Sequence, residues 1–172
     1  MSKRKPNYSW DTSIFVAWLD GEETAPLDQI AAVADEIDSG AANLIVAVTA
    51  YSEVLQAKRS KAKMKKFKNF LKRSNVEVVQ TSIVIAEKAG EIRSNALREK
   101  RKVKTPDATF MATAILHKAD MLHSLDPDFL ALNGSPIVDG LLIKTPQTLS
   151  GQGVFSGFAS TEESDEPDAD ES

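Results

Sequence analysis

Short apolar runs of strand length alternate along this chain with longer segments whose apolar residues recur at helical spacing. No other feature restricts the fold as much. Leu44 to Val48 is a continuous apolar run, the pattern of a strand buried on both faces. Tyr8 to Trp10, Val76 to Val79, Met121 to Leu125 and Leu141 to Ile143 are further strand segments. Between them, helices are predicted over Ile14 to Leu19 and through Leu27, Ile30, Val33, Ala34 and Ile37, closed by Gly40. Another starts at Thr49 and carries Glu53, and a basic one carries Met64, Phe67, Phe70 and Leu71. Ile83 to Leu97 follows, and then a start at Thr105-Pro106-Asp107, with Thr105 as N-cap and Pro106 at the first helical position. A turn or short helix spans Pro127 to Leu132. Strands in alternation with helices imply an α/β/α sandwich on a mostly parallel five-stranded sheet.

Charge is segregated along the 172 residues. The formal net charge is −4, but residues 162–171 hold seven acids and no base, and without them 21 basic residues face 18 acidic ones. Nine bases lie between Lys58 and Arg73 and five between Arg98 and Lys104. A charge run is ordinarily a solvated face, yet two in one small domain also suit a polyanionic partner. Residues 1–6 read as a basic arm, 7–149 as one domain and 150–172 as a disordered acidic tail. The absence of cysteine excludes disulfides and thiolate zinc sites, and two histidines argue against an imidazole-rich one. No apolar run approaches the ~20 residues that span a bilayer, so no membrane association and a cytoplasmic location are expected.

In a parallel α/β sheet, sites form outside the carboxyl ends of the strands, where crossover helices also begin. Asp11 and Asp126 each follow a predicted strand, Glu53 lies near the start of the helix after the second strand, and Asp107 lies in the first turn of its helix. All four are therefore expected on one rim. Each has an ordinary structural reading: Asp11 as a helix cap, Asp107 as a partner of the helix dipole, Asp126 before Pro127 as a turn former, Glu53 as a solvent-facing helix residue. Carboxylates gathered on one edge are costly without a cation, and they are natural ligands of hard divalent metals.

The same residues resemble the PIN-domain family of nucleases, including the toxins of VapC-type toxin–antitoxin modules. The resemblance covers roughly residues 7–145. It is carried by Asp11-Thr12-Ser13, Ser52-Glu53-Val54-Leu55, Thr105-Pro106-Asp107-Ala108 with Ala112-Thr113-Ala114, and the Leu122 to Phe129 segment containing Ser124, Asp126 and Asp128. It implies a Mg²⁺- or Mn²⁺-dependent endoribonuclease. Asp11, Glu53, Asp107 and Asp126 would be its catalytic, metal-binding quartet, Asp128 a further ligand, and Thr12, Ser13 and Ser124 polar supports. Lys58, Arg59, Arg98 and Arg101 are the expected contacts to nucleic acid. The toxin reading further implies an RNA substrate, a cognate antitoxin and often a homodimer. The acidic tail and the Lys3-Arg4-Lys5 arm depart from the family pattern.

Two other readings compete. One is a non-catalytic nucleic-acid-binding or regulatory module on the same fold. The other is a single-Asp phosphoacceptor, which accounts for Asp11 but not for Glu53 or Asp107. His117 and His123 read as ordinary helix and strand residues, and Trp10 and Trp18 as core.

Overall fold

A computed structural model describes residues 4–149; the expected acidic tail over 150–172 and residues 1–3 of the basic arm lie outside the described residues. The chain runs β1 (Asn7–Trp10), α1 (Thr12–Asp20), α2 (Leu27–Asp38), β2 (Asn43–Ala47), α3 (Val48–Gln56), α4 (Lys61–Leu71), β3 (Val76–Val79), α5 (Ile83–Arg98), α6 (Thr105–Leu116), β4 (Met121–His123), α7 (Pro127–Leu130), a 3-10 turn (Pro136–Val138) and β5 (Ile143–Lys144). The five strands form one sheet in the order β3-β2-β1-β4-β5, with every neighbouring pair parallel. The α/β/α architecture on a parallel five-stranded sheet is the one that the alternation of segments implies.

The central strands are buried because helices cover both faces. Leu44, Ile45, Val46 and Ala47 of β2 are all buried. Aromatic packing anchors one helical layer to β1. The Trp10 ring stacks on Phe70 of α4 (centroids 5.6 Å apart, 17° between planes) and meets Phe15 of α1 edge-on at 5.2 Å. Trp18 closes on Phe70 at 4.9 Å, so both tryptophans belong to the packed interior or its margin. This packing fixes the direction in which the chain leaves β1, and hence the position of Asp11. Gly21 ends α1 in the left-handed region (φ 65°), which a glycine enters without steric cost, and its N–H reaches the Ala17 carbonyl at 2.9 Å.

Several boundaries differ from those predicted. Val48 opens α3 rather than closing β2, and β4 ends at His123. Beyond β4, the Ser124 N–H still reaches the Lys144 carbonyl of β5 at 3.0 Å, and Leu125 then meets α1 at Ser13. The last strand is Ile143–Lys144 instead of Leu141–Ile143, because the Leu141 carbonyl is spent on Gly134 N–H in the preceding loop. Thr105 is the first residue of α6 and not its cap; Lys104 takes that place without a side-chain hydrogen bond, and Pro106 is the second helical residue.

Candidate functional site

Asp11 occupies the junction of β1 and α1. Its N–H extends the β1–β4 pairing by one step to the His123 carbonyl at 3.2 Å, and its side chain then caps α1. The carboxylate is almost fully buried, with both oxygens engaged. Oδ1 accepts from Ser13 Oγ at 2.5 Å and from the Ile14 N–H at 3.4 Å, and Oδ2 accepts from Ser124 Oγ at 2.5 Å. Burial pushes its pKa up to about 6, against the pull of the two hydroxyls and the Ile14 N–H, and the charge of Asp126 adds to the rise.

Each serine also accepts a hydrogen bond from the segment that leaves β4: the Leu125 N–H reaches Ser13 Oγ at 2.9 Å, and the Asp126 N–H reaches Ser124 Oγ at 3.0 Å. Two hydroxyls thus tie the exit of β1 to the exit of β4, which are adjacent strands. Asp126 follows directly. It caps α7, with Oδ1 accepting from the Asp128 N–H at 2.8 Å, and Pro127 fills the first helical position.

Glu53 and Asp107 come from the two helices that start on the same edge. Thr12 Oγ1 donates to Glu53 Oε2, joining α1 to α3. Asp107, in the first turn of α6, has its pKa raised by burial first, then by the charges of Asp126, Glu53 and Asp128, with Lys104 opposing them. The four acids therefore share one rim and one electrostatic field, and Thr12, Ser13 and Ser124 hydrogen-bond two of them. The donor set consists of hard carboxylate oxygens, which suits Mg²⁺ or Mn²⁺. Among the described residues, however, no group of three or more acidic or histidine side chains converges closely enough to hold an ion as the side chains stand. Hydroxyl partners occupy Asp11 and Glu53 instead.

The expected basic contacts divide. Lys58 is exposed, as is Arg98, which donates to Asn95 Oδ1 at 3.4 Å. Arg59 is turned inward: its side chain is 5 % exposed, pairs with Asp20 at 3.0 Å and donates to the Val54 carbonyl. Arg101 donates to the Ala131 carbonyl at 3.0 Å, which pins the loop before α6 to the end of α7 beside Asp128. Lys104 was not anticipated from sequence, although the signal was present: a base stands directly before the Thr105-Pro106-Asp107 helix start. His123 is buried, with Trp10 Nε1–H donating to its Nδ1 at 3.2 Å, and burial lowers its pKa to about 4.

A parallel α/β/α sandwich with an acidic rim at its strand ends is the class that this geometry defines. The model of the PIN domain matches residues 8–134, and the chain belongs to that family. Its fold is similar to VapBC2 from Rickettsia felis, solved bound to a DNA fragment from its promoter (17 % identity, 81 % of this chain and 98 % of that one, TM-score 0.59). It is also similar to a toxin–antitoxin complex from Klebsiella pneumoniae (23 % identity, 83 % and 99 % covered, TM-score 0.54) and to FitAcB from Neisseria gonorrhoeae (14 % identity, 81 % and 97 %, TM-score 0.56). The search of curated proteins finds no match. Among the described residues no helix is long and apolar enough to cross a membrane. Family membership supports a nuclease-like role.

Proposed function

We propose that this chain is a metal-dependent endoribonuclease that hydrolyses RNA phosphodiesters, acting as the toxin of a toxin–antitoxin pair. The observation that carries this reading is the arrival of Asp11, Glu53, Asp107 and Asp126 on one sheet edge from four separate parts of the sequence. The toxin assignment draws on the similarity in fold to solved toxin–antitoxin assemblies. A cognate antitoxin, a homodimer and a cytoplasmic location belong to the same proposal.

Asp11, Glu53, Asp107 and Asp126 would hold Mg²⁺ or Mn²⁺, with Asp128 at the margin. The chemistry supplied by a bound divalent ion is the activation of water and the neutralisation of charge developing on the phosphate. The chain does the rest. Ser13 and Ser124 fix the plane of the Asp11 carboxylate, and Thr12 orients Glu53. Lys104, beside Asp107, offers a positive charge to an incoming phosphate. Lys58 and Arg98, and Arg101 on leaving the Ala131 carbonyl, would take flanking phosphates, whereas Arg59 is committed to Asp20. A histidine base is not needed, and buried His123 is neutral at pH 7.

The test is cleavage of labelled structured RNAs with Mg²⁺ or Mn²⁺, beside EDTA and Asp11→Asn. Cleavage that requires metal and falls at least about 100-fold in the variant is expected, a size in line with loss of transition-state charge stabilisation. Metal-independent cleavage, no cleavage of any RNA, or full activity of Asp11→Asn rejects the reading. The side chains' failure to converge at metal-binding spacing favours one alternative, a non-catalytic RNA-binding module. On that alternative, removing the acids strengthens RNA binding and no metal activates the protein.

A further inference from the structure

The eight bases from Arg59 to Arg73 form two populations once the chain is folded. Arg59 and Lys63 pair with Asp20, Arg73 pairs with Asp38 at 2.5 Å, and Lys66 lies 4.0 Å from the centre of the Trp18 ring. These four hold α4 to its own protein. Lys61, Lys65, Lys68 and Lys72 are exposed, and none forms an ion pair among the described residues. Their spacing (i, i+4, i+7, i+11) places them on a single face, a line of positive charge about 16 Å long at 1.5 Å per residue. Packing does not explain the stripe, because α4 buries Phe67 and Phe70 on its other side.

Beside the stripe is a groove of about 370 Å³ between α3, α4 and the edge strand β3. Val48, Tyr51, Leu71 and Val78 make it largely apolar, and Lys68 and Lys72 stand on its rim. The Tyr51 ring is held against Phe67 at 5.6 Å. Tyr51 and Glu53 belong to the same helix but, two residues apart, lie about 200° apart around it: Tyr51 faces Phe67 of α4, and Glu53 faces Thr12 of α1.

We propose that this groove and stripe are a binding surface for single-stranded RNA on a different side of α3 from Glu53, with bases against Tyr51 and its apolar neighbours and phosphates on Lys68, Lys72, Lys65 and Lys61. The inference rests on the ribonuclease reading and names the form of RNA that the protein holds. An apolar, aromatic-walled groove alongside aligned cations matches the alternation of flat bases and anions in an unpaired strand. A segment made of acidic residues alone would answer the lysines but leave the groove without an occupant. A duplex would answer the lysines yet keep its bases stacked inside.

The test measures binding of a labelled single-stranded oligoribonucleotide to the full chain in EDTA, where cleavage does not interfere, over a series of salt concentrations. Wild type is compared with a fourfold Lys61→Gln, Lys65→Gln, Lys68→Gln, Lys72→Gln variant, with Tyr51→Ala, and with a Lys5→Gln, Lys118→Gln control. Glutamine keeps helix propensity nearly unchanged, and a thermal melt of each variant checks the fold. The fourfold variant is expected to weaken binding about tenfold or more near 0.1 M salt and to flatten the log–log salt slope by about 3, at ~0.7 per single-strand phosphate released. Tyr51→Ala is expected to weaken binding without changing the slope, and the lysine control to change neither. Unchanged affinity and slope in the fourfold variant overturn the proposal. So does retained RNA binding with loss of a polyglutamate probe, which would assign the stripe to an acidic protein. Absence of metal-dependent cleavage in the separate assay would sink the ribonuclease reading while leaving this binding result interpretable.

Discussion

Asp11 can lie buried at the end of β1 because four groups answer it: two hydroxyls, one N–H of its own helix and the strand pairing behind it. His123, across the β1–β4 pair, shows the opposite solution to burial. Its ring is tilted against Tyr8 at 5.0 Å, Trp10 Nε1–H donates to Nδ1 at 3.2 Å, and the Gln147 N–H reaches Nε2 at 3.4 Å. Protonation would set an N–H against both of these donors, in a site where charge is poorly solvated. The folded pKa of about 4 lies below the ordinary 6.5, so the unfolded chain binds more protons between those values. Stability is therefore complete above about pH 6.5 and falls as the pH drops toward 4, by roughly 3 kcal/mol in total at ~1.4 kcal/mol per unit. Urea titrations of wild type and His123→Gln from pH 7 to 4.5 measure this. Equal pH dependence in the two proteins would remove His123 as the source.

At the scale of elements, the aromatic cluster joins β1, α1 and α4 into one body from which Asp11 emerges. Phe70 contacts both Trp10 and Trp18, so Phe70→Ala opens a cavity under two rings at once. A loss of about 3–5 kcal/mol is expected on the usual scale of large-to-small core changes, read from the urea midpoint at an unchanged m-value. A loss below about 1 kcal/mol would mean that α4 is not a structural partner of β1. Much of this layer was legible in sequence, because periodicity reports which side chains share a face: Phe67, Phe70 and Leu71 are buried, and the lysines of α4 lie outside. The ends of elements were less legible. Val48 suits a strand as well as a helix start, and whether Thr105 caps α6 or enters it depends on the backbone at Lys104. Arg59 shows the sharper limit. In sequence it is one base among nine, and only the distant Asp20, brought close by the packing of α1 against α4, takes it out of the exposed set.

Across the whole molecule, the parallel sheet draws negative charge to one edge while much of the positive charge stays on α4 and the loop before α6. That separation follows from topology: strand ends and helix starts meet on one rim, where Asp11, Asp107 and Asp126 lie, while Glu53, expected near the start of α3, is its sixth residue and reaches Thr12 from the second turn. The arrangement costs stability in the metal-free protein. Asp107 lies in the fields of Asp126, Glu53 and Asp128, with Lys104 as the opposing base, and its charged form is disfavoured by burial besides. The helix dipole at the first turn of α6 offsets this by ~0.3–1 kcal/mol at most. The raised pKa indicates that burial and repulsion outweigh the favourable charge of Lys104. Asp107→Asn keeps the shape of the side chain and removes its charge. In EDTA it is expected to melt higher than wild type, by a few tenths to about 1 kcal/mol for a half-exposed group. With Mg²⁺ the order should reverse, since an ion that binds only the folded chain stabilises wild type by mass action and the variant less. Thermal melts of both proteins in EDTA and over a Mg²⁺ series decide the matter. If Asp107→Asn melts lower in EDTA, or if Mg²⁺ leaves wild type unmoved, the acidic rim is a settled structural feature and its charge is not held in reserve for a cation.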